Sequence, residues 1–175
     1  MRIVAWKTFA RRGALLLGAL MLLGLVALIG VWVILKARNA EAFAIRSPRG
    51  VQEAGYVRLG GVEQWVTVRG QDRRNPVLLV VHGGPGGATS AFTKEFLAWE
   101  RDFTVVQWDQ QGAGKTYAKS GAPAQLTLDA ISSDGAELAR ILNARFGRKV
   151  VVVGWSWGSL VGLKMVKETP DIFAA

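Results

Sequence analysis

The sequence predicts an α/β fold: a doubly wound, mostly parallel sheet preceded by one transmembrane helix. Three observations carry that prediction. From about residue 55 onward, short runs of β-branched residues alternate with segments of helical spacing, the pattern of strand–helix–strand units. Three Gly-rich loops each follow a strand-like run. Ahead of them, Gly13 to Leu35 is a stretch of 23 residues without a charge.

As a helix that stretch reaches about 35 Å, enough to cross a hydrocarbon core of about 30 Å. Arg11 and Arg12 fence one end and Lys36 and Arg38 the other, with Trp32 at an interfacial position. The chain therefore divides into a basic tail (1–12), a transmembrane helix (13–35), a linker (36–50) and a partial α/β domain (51–175). Two other readings compete. A cleaved signal peptide has small-x-small sites at Ala40-Glu41-Ala42 and Ala42-Phe43-Ala44, but its apolar region normally runs only about 7–15 residues. A buried core helix lacks enough surrounding chain. The expected location is a single-pass membrane protein with its C-terminal domain outside the cytoplasm, or a secreted protein if the signal is cleaved.

The 175 residues carry 22 Lys and Arg against 13 Asp and Glu, a net charge of +9. Residues 1–50 hold +7 of it and residues 51–175 only +2. The basicity flanks the apolar run, so membrane lipid is the expected partner and nucleic acid is not. With no Cys and one His, disulfide scaffolds, zinc fingers, iron–sulfur clusters and multi-His metal sites are excluded, and no metal or cofactor is expected.

Within the domain, Tyr56–Leu59 and the alternating Gln64–Val68 flank Gly60-Gly61, a hairpin signal. After the Asn75-Pro76 turn, Val77–Val81 is apolar throughout, the pattern of a strand buried on both faces. His82–Gly87 is a Gly-rich loop. Phe92, Phe96 and Trp99 predict a helix, with Thr89 or Ser90 as cap. Phe103–Trp108 is a strand and Asp109–Thr116 a polar turn. Thr127 caps a helix that carries Asp129 in its first turn and stops at Gly147. Lys149–Val153 is a third buried strand, Gly154–Ser159 a turn, and Leu160–Glu168 a helix that Pro170 ends. Ligands of such sheets bind beyond the carboxyl ends of the strands, so the three Gly-rich loops should meet on one edge.

Gly154-Trp155-Ser156-Trp157-Gly158 is a G-x-S-x-G between a four-valine strand and a helix. The chemistry wants a sharp strand-to-helix turn that exposes one hydroxyl, with glycines where side chains would collide. The N–H after the Ser lies at a helix N-terminus, where it can stabilise a developing oxyanion. The bland reading is a βα turn with a hydroxyl cap. His82-Gly83-Gly84-Pro85-Gly86-Gly87 offers further backbone N–H groups. His82 is expected to shape that loop rather than act as a base. Gly112-Ala113-Gly114-Lys115-Thr116 is like the tail of a phosphate-binding loop, but Asp109 stands where the full motif needs Gly.

Together the three motifs resemble the α/β-hydrolase superfamily, and within it the proline iminopeptidase-like branch of serine peptidases. That branch carries H-G-G-P-G-G, D-Q-R-G-x-G-x-S and G-G-S-W-G-S, and the likeness covers about residues 55–173. It implies Ser156 as the nucleophile, with the N–H groups of Trp157 and Gly84 as the oxyanion hole and Gly83 as runner-up donor. Gln111 replaces the branch's Arg, Thr116 its Ser and Trp155 its Gly. Ser at the elbow argues against epoxide hydrolases and haloalkane dehalogenases, which use Asp there. The implied substrate is a small molecule or peptide, hydrolysed at an amide or ester bond through an acyl-enzyme.

In this superfamily the triad runs Ser, acid, His along the chain, yet no His follows Ser156. The triad acid and His are absent. The expectation is a front half of a hydrolase, cut short before its sixth strand, inactive and poorly stable by itself. A carboxylesterase-like enzyme and a non-catalytic, membrane-tethered pseudo-hydrolase are the alternatives.

Overall fold

The structure is a computed structural model that describes residues 2–123 and 125–174. It divides into two units, an N-terminal helix and a domain beginning at Ile45. The helix, α1, runs Arg2–Ala42. Its segment Leu15–Ala42 is long and apolar enough to cross a membrane, a property that a signal sequence shares.

The domain is built on a five-stranded sheet. β1 (Val51–Leu59) and β2 (Val62–Gly70) form a hairpin in which Leu59 pairs with Val62 across Gly60-Gly61. Both glycines have positive φ, 54° and 80°, which a tight two-residue turn requires and other residues resist. β3 (Val77–Val81), β4 (Thr104–Asp109) and β5 (Val150–Gly154) complete the sheet in the order β1-β2-β4-β3-β5. β3 runs parallel to β4 and β5, but β2 is antiparallel to both β1 and β4. The sheet is therefore mixed rather than mostly parallel. The β1–β2 part has a local cause, because a two-residue turn can only join antiparallel strands and parallel ones need a crossover.

Side-chain alternation along β3 builds a core on each face. Val77, Leu79 and Val81, with Val106 and Trp108 of β4, pack under Leu138, Leu142, Val161 and Met165. Those residues belong to α3 (Leu128–Phe146) and α4 (Trp157–Glu168). Val80 and Val105 point the other way, toward Phe96. Thr127 caps α3 by accepting from the Ala130 N–H, and Gly147 ends it in the left-handed conformation, both as expected.

Two elements differ from expectation. The segment with Phe92, Phe96 and Trp99 forms short 3-10 turns, Ser90–Phe96 and Trp99–Arg101, broken at Phe92 (φ −112°, ψ 32°). Only Phe96 of the three is buried, so the helical spacing had no apolar stripe to hold it in register. A short helix, α2 (Gly114–Ser120), occupies the end of the polar loop, where the sequence suggested only a turn. β5 lies at the sheet edge, and on its outer side Val150 makes a parallel bridge to Phe173.

Candidate active site

Because β3, β4 and β5 are parallel, their carboxyl ends share one edge of the sheet. That edge gathers the three loops His82–Gly87, Asp109–Thr116 and Gly154–Ser159. Ser156 sits between β5 and α4 with φ 54° and ψ −126°, the one non-glycine positive φ among the described residues. Such a conformation costs about 1–3 kcal/mol and persists only where packing imposes it. The packing is visible. A Cβ on Gly154 would strike the Gly158 carbonyl, and a Cβ on Gly158 would strike the carbonyl oxygens of Val81 and His82. With both glycines bare, the chain turns sharply, α4 abuts the end of β3, and Ser156 is left exposed at the tip.

The β3 loop lies against this turn. A Cβ on Gly83 would be 3.3 Å from Ser156 Cβ and 3.2 Å from the Trp155 carbonyl oxygen. Gly84 has φ 123°, a region only glycine adopts comfortably. Trp157 opens α4, so its N–H belongs to the first turn, where helix N–H groups lack intrahelical partners and the dipole favours negative charge.

His82 is fully buried. Its Nε2 accepts from the Gln110 N–H at 3.2 Å, so Nδ1 carries the proton and donates to the Gly83 carbonyl at 2.8 Å. The Gln110 side chain returns a bond to the His82 carbonyl at 3.1 Å. Burial pushes the imidazole pKa down, against smaller opposing pulls from the Gly83 carbonyl and Asp109. The ring is a neutral brace between two loops.

The Asp109 loop is stapled from within. Asp109 Oδ2 accepts from Ser90 Oγ at 2.8 Å and the Lys115 N–H at 2.9 Å. Thr116 Oγ1 donates to the Asp109 carbonyl at 2.6 Å and accepts from the Trp65 N–H at 2.8 Å. The Lys115 N–H and the Thr116 hydroxyl are thus committed to Asp109, and the Lys115 ammonium lies over the Trp65 ring. Gln107 holds the next segment, donating to the Thr89 carbonyl at 2.6 Å.

A second network lies behind the loop. Gln111 and Gln64 both donate to Asp134 Oδ2, at 2.6 and 2.5 Å, and Trp108 Nε1 donates to Gln64 Oε1 at 2.8 Å. Burial raises the Asp134 pKa and outweighs the two amides, with Glu137 adding to the rise. The sequence reading missed Gln64, Asp134 and the Asp109 staple. Gln107, an amide inside the largely apolar β4, was the available signal; in β2 Gln64 stands beside Glu63, Thr67 and Arg69 and does not stand out.

A family model described as the alpha/beta hydrolase fold matches residues 76–175, more than half of the chain. The chain belongs to the α/β-hydrolase family. Among its relatives is "Probable aminopeptidase YbaC" of Bacillus subtilis, 34% identical over 117 residues, covering 66% of this chain and 37% of the relative. Among solved hydrolase structures, the proline iminopeptidase-related protein of Thermus thermophilus superposes with a TM-score of 0.57 at 30% identity, covering 69% of this chain and 41% of that one. An epoxide hydrolase of Vigna radiata superposes with a TM-score of 0.58 at 25% identity, covering 71% and 38%. The chain thus spans little more than a third of the length of the curated relative it matches.

Proposed function

We propose that this chain is the nucleophile-bearing part of a membrane-anchored serine hydrolase of the proline iminopeptidase-like type. Ser156 attacks an amide or ester carbonyl of a small-molecule or peptide substrate, forming an acyl-enzyme. The N–H groups of Trp157 and Gly84, with Gly83 as the second choice for the latter, stabilise the oxyanion. Each such donor is worth roughly 3–4 kcal/mol of transition-state stabilisation. The observation that carries this reading is the strained, exposed Ser156 at a glycine-flanked turn directly against the β3 loop. Its serine also separates it from the epoxide hydrolases it superposes on, which in that family use Asp at the elbow. The anchor reading rests on the apolar segment of α1.

Within these 175 residues the sole imidazole is His82, which is buried and holds both ring nitrogens in hydrogen bonds. It cannot take the Ser156 proton. A hydrolase that loses its triad base keeps only about 10³–10⁴-fold acceleration over water. The 175-residue polypeptide is therefore expected to react slowly and once with a fluorophosphonate probe at Ser156, and not to turn over aminoacyl or ester substrates. Labelling should vanish in Ser156→Ala. A folded chain that takes no label at all would overturn the nucleophile assignment and favour a non-catalytic, membrane-tethered binding protein. Separation of carboxylesterase from peptidase action needs aminoacyl amides and simple esters run side by side.

A further inference from the structure

Away from Ser156, at the end of the sheet where β3, β4 and β5 begin, two turns enclose a hollow of about 410 Å³. It is lined by Arg73 and Arg74 of the β2–β3 turn and by Arg145, Phe146 and Arg148 at the α3–β5 junction. Arg148 is held in place by carbonyls: its Nε donates to Phe146 at 3.2 Å and its Nη1 to Arg74 and, at 3.4 Å, to Asn75. Carbonyls orient a guanidinium without neutralising it, and among the described residues the Arg148 Nη2 group has no hydrogen bond of its own. Arg145 lies over the Phe146 ring at 5.0 Å and bonds Glu53 at 2.5 Å, while Arg74 is paired with Asp72 at 2.9 Å. Arg73 is exposed and, like Arg148, forms no ion pair among the described residues, although its charge acts on Glu53 through space. Four guanidiniums thus face two carboxylates, in a domain whose overall charge is nearly balanced.

Guanidinium forks match phosphate oxygens, and Arg sites of this kind favour phosphate over other anions. The same turn is also where the chain from α1 arrives. The Arg49 carbonyl accepts from the Arg73 N–H at 2.8 Å, and the Arg49 side chain pairs with Asp72 at 2.8 Å. Only residues 43–50 separate α1 from β1, a tether of at most about 28 Å when extended.

We propose that this arginine hollow is a phosphate site that docks anionic phospholipid headgroups of the membrane holding α1. The inference rests on the membrane reading of α1. It makes the anchored domain lipid-sensitive: Arg73 and the free face of Arg148 engage headgroup phosphates.

The full chain, reconstituted in phosphatidylcholine vesicles or in a roughly 3:1 mixture with phosphatidylglycerol, tests it by amide hydrogen exchange, since an anionic surface attracts basic side chains. Exchange in residues 71–76 and 146–149 is expected to slow several-fold in the anionic vesicles. The slowing should disappear in Arg73→Glu and persist in Arg58→Glu, which changes net charge equally at a site outside the hollow. Equal exchange in both vesicles, or equal loss in the two variants, overturns the proposal. Equal slowing by inorganic phosphate on phosphatidylcholine vesicles overturns the lipid assignment. Carbonate extraction separates the two readings. A chain that stays in the vesicles without the anionic effect loses only the hollow's role, whereas a chain that washes out loses the anchor.

Discussion

At the scale of single residues, the site is held by what is missing from Gly158 as much as by what Ser156 carries. A methyl group there meets two backbone carbonyls that cannot rotate away. Gly158→Ala is expected to cost at least the 1–3 kcal/mol typical of overpacking and to lower Ser156 labelling with it, as denaturant unfolding and fluorophosphonate labelling together would read. Asp134 makes a different prediction. Its carboxyl is buried between two amides with no cation, and its pKa is raised in the folded state. A raised carboxyl pKa means that the folded state holds the proton more tightly than the unfolded one. Its contribution to stability is therefore full below the ordinary value near 3.8 and is lost as pH rises through the folded value. Asp134→Asn keeps an acceptor for Gln64 and Gln111 but cannot ionise. The stability difference, variant minus parent, should grow as pH rises from 3.8 and then level off, measured by chemical unfolding.

Single elements show why some of the fold was legible and some was not. The β1–β2 hairpin, the buried β3 and the capped α3 were readable because each has a local cause: two glycines, an unbroken apolar run, and a Thr–Gly pair of caps. Thr127→Ala removes the bond to the Ala130 N–H. It should cost about 1 kcal/mol of domain stability, the usual worth of an N-cap, with hydrogen exchange rising first in the N-terminal turn of α3. The 3-10 turns after β3 and the short helix α2 were not readable, because their geometry is set from a distance. α2 is tied through Thr116, whose hydroxyl accepts from the Trp65 N–H of β2, and Gln107 holds the loop after β3 from inside β4. The motif residues of the site could be found in the sequence since strand–loop–helix order alone places them on one edge. The buried amide–carboxylate network joins positions 64, 111 and 134, a long-range arrangement that no local pattern announces.

At the largest scale, the outer flank of β5 is the surface expected to govern association of the 175-residue polypeptide. Beside that strand lies an apolar groove of about 300 Å³ lined by Val152, Gly162, Leu163 and Val166, with Leu160 and Leu163 exposed on α4. An open strand edge next to apolar surface templates pairing with another chain. The 175-residue polypeptide in detergent should self-associate with rising concentration. Val151→Lys, which puts a charge on a half-exposed edge position, should shift sedimentation toward the monomer. The sealing of His82 has its own consequence for the handling of this protein. Reagents such as diethyl pyrocarbonate, which carbethoxylate a free neutral imidazole nitrogen, find none on the native surface, because the single ring is enclosed and both nitrogens are engaged. Ring modification, read by the absorbance of the carbethoxylated imidazole, would then follow the opening of the β3 and β4 loops, making one histidine a built-in clock for the loss of the hydrolase edge.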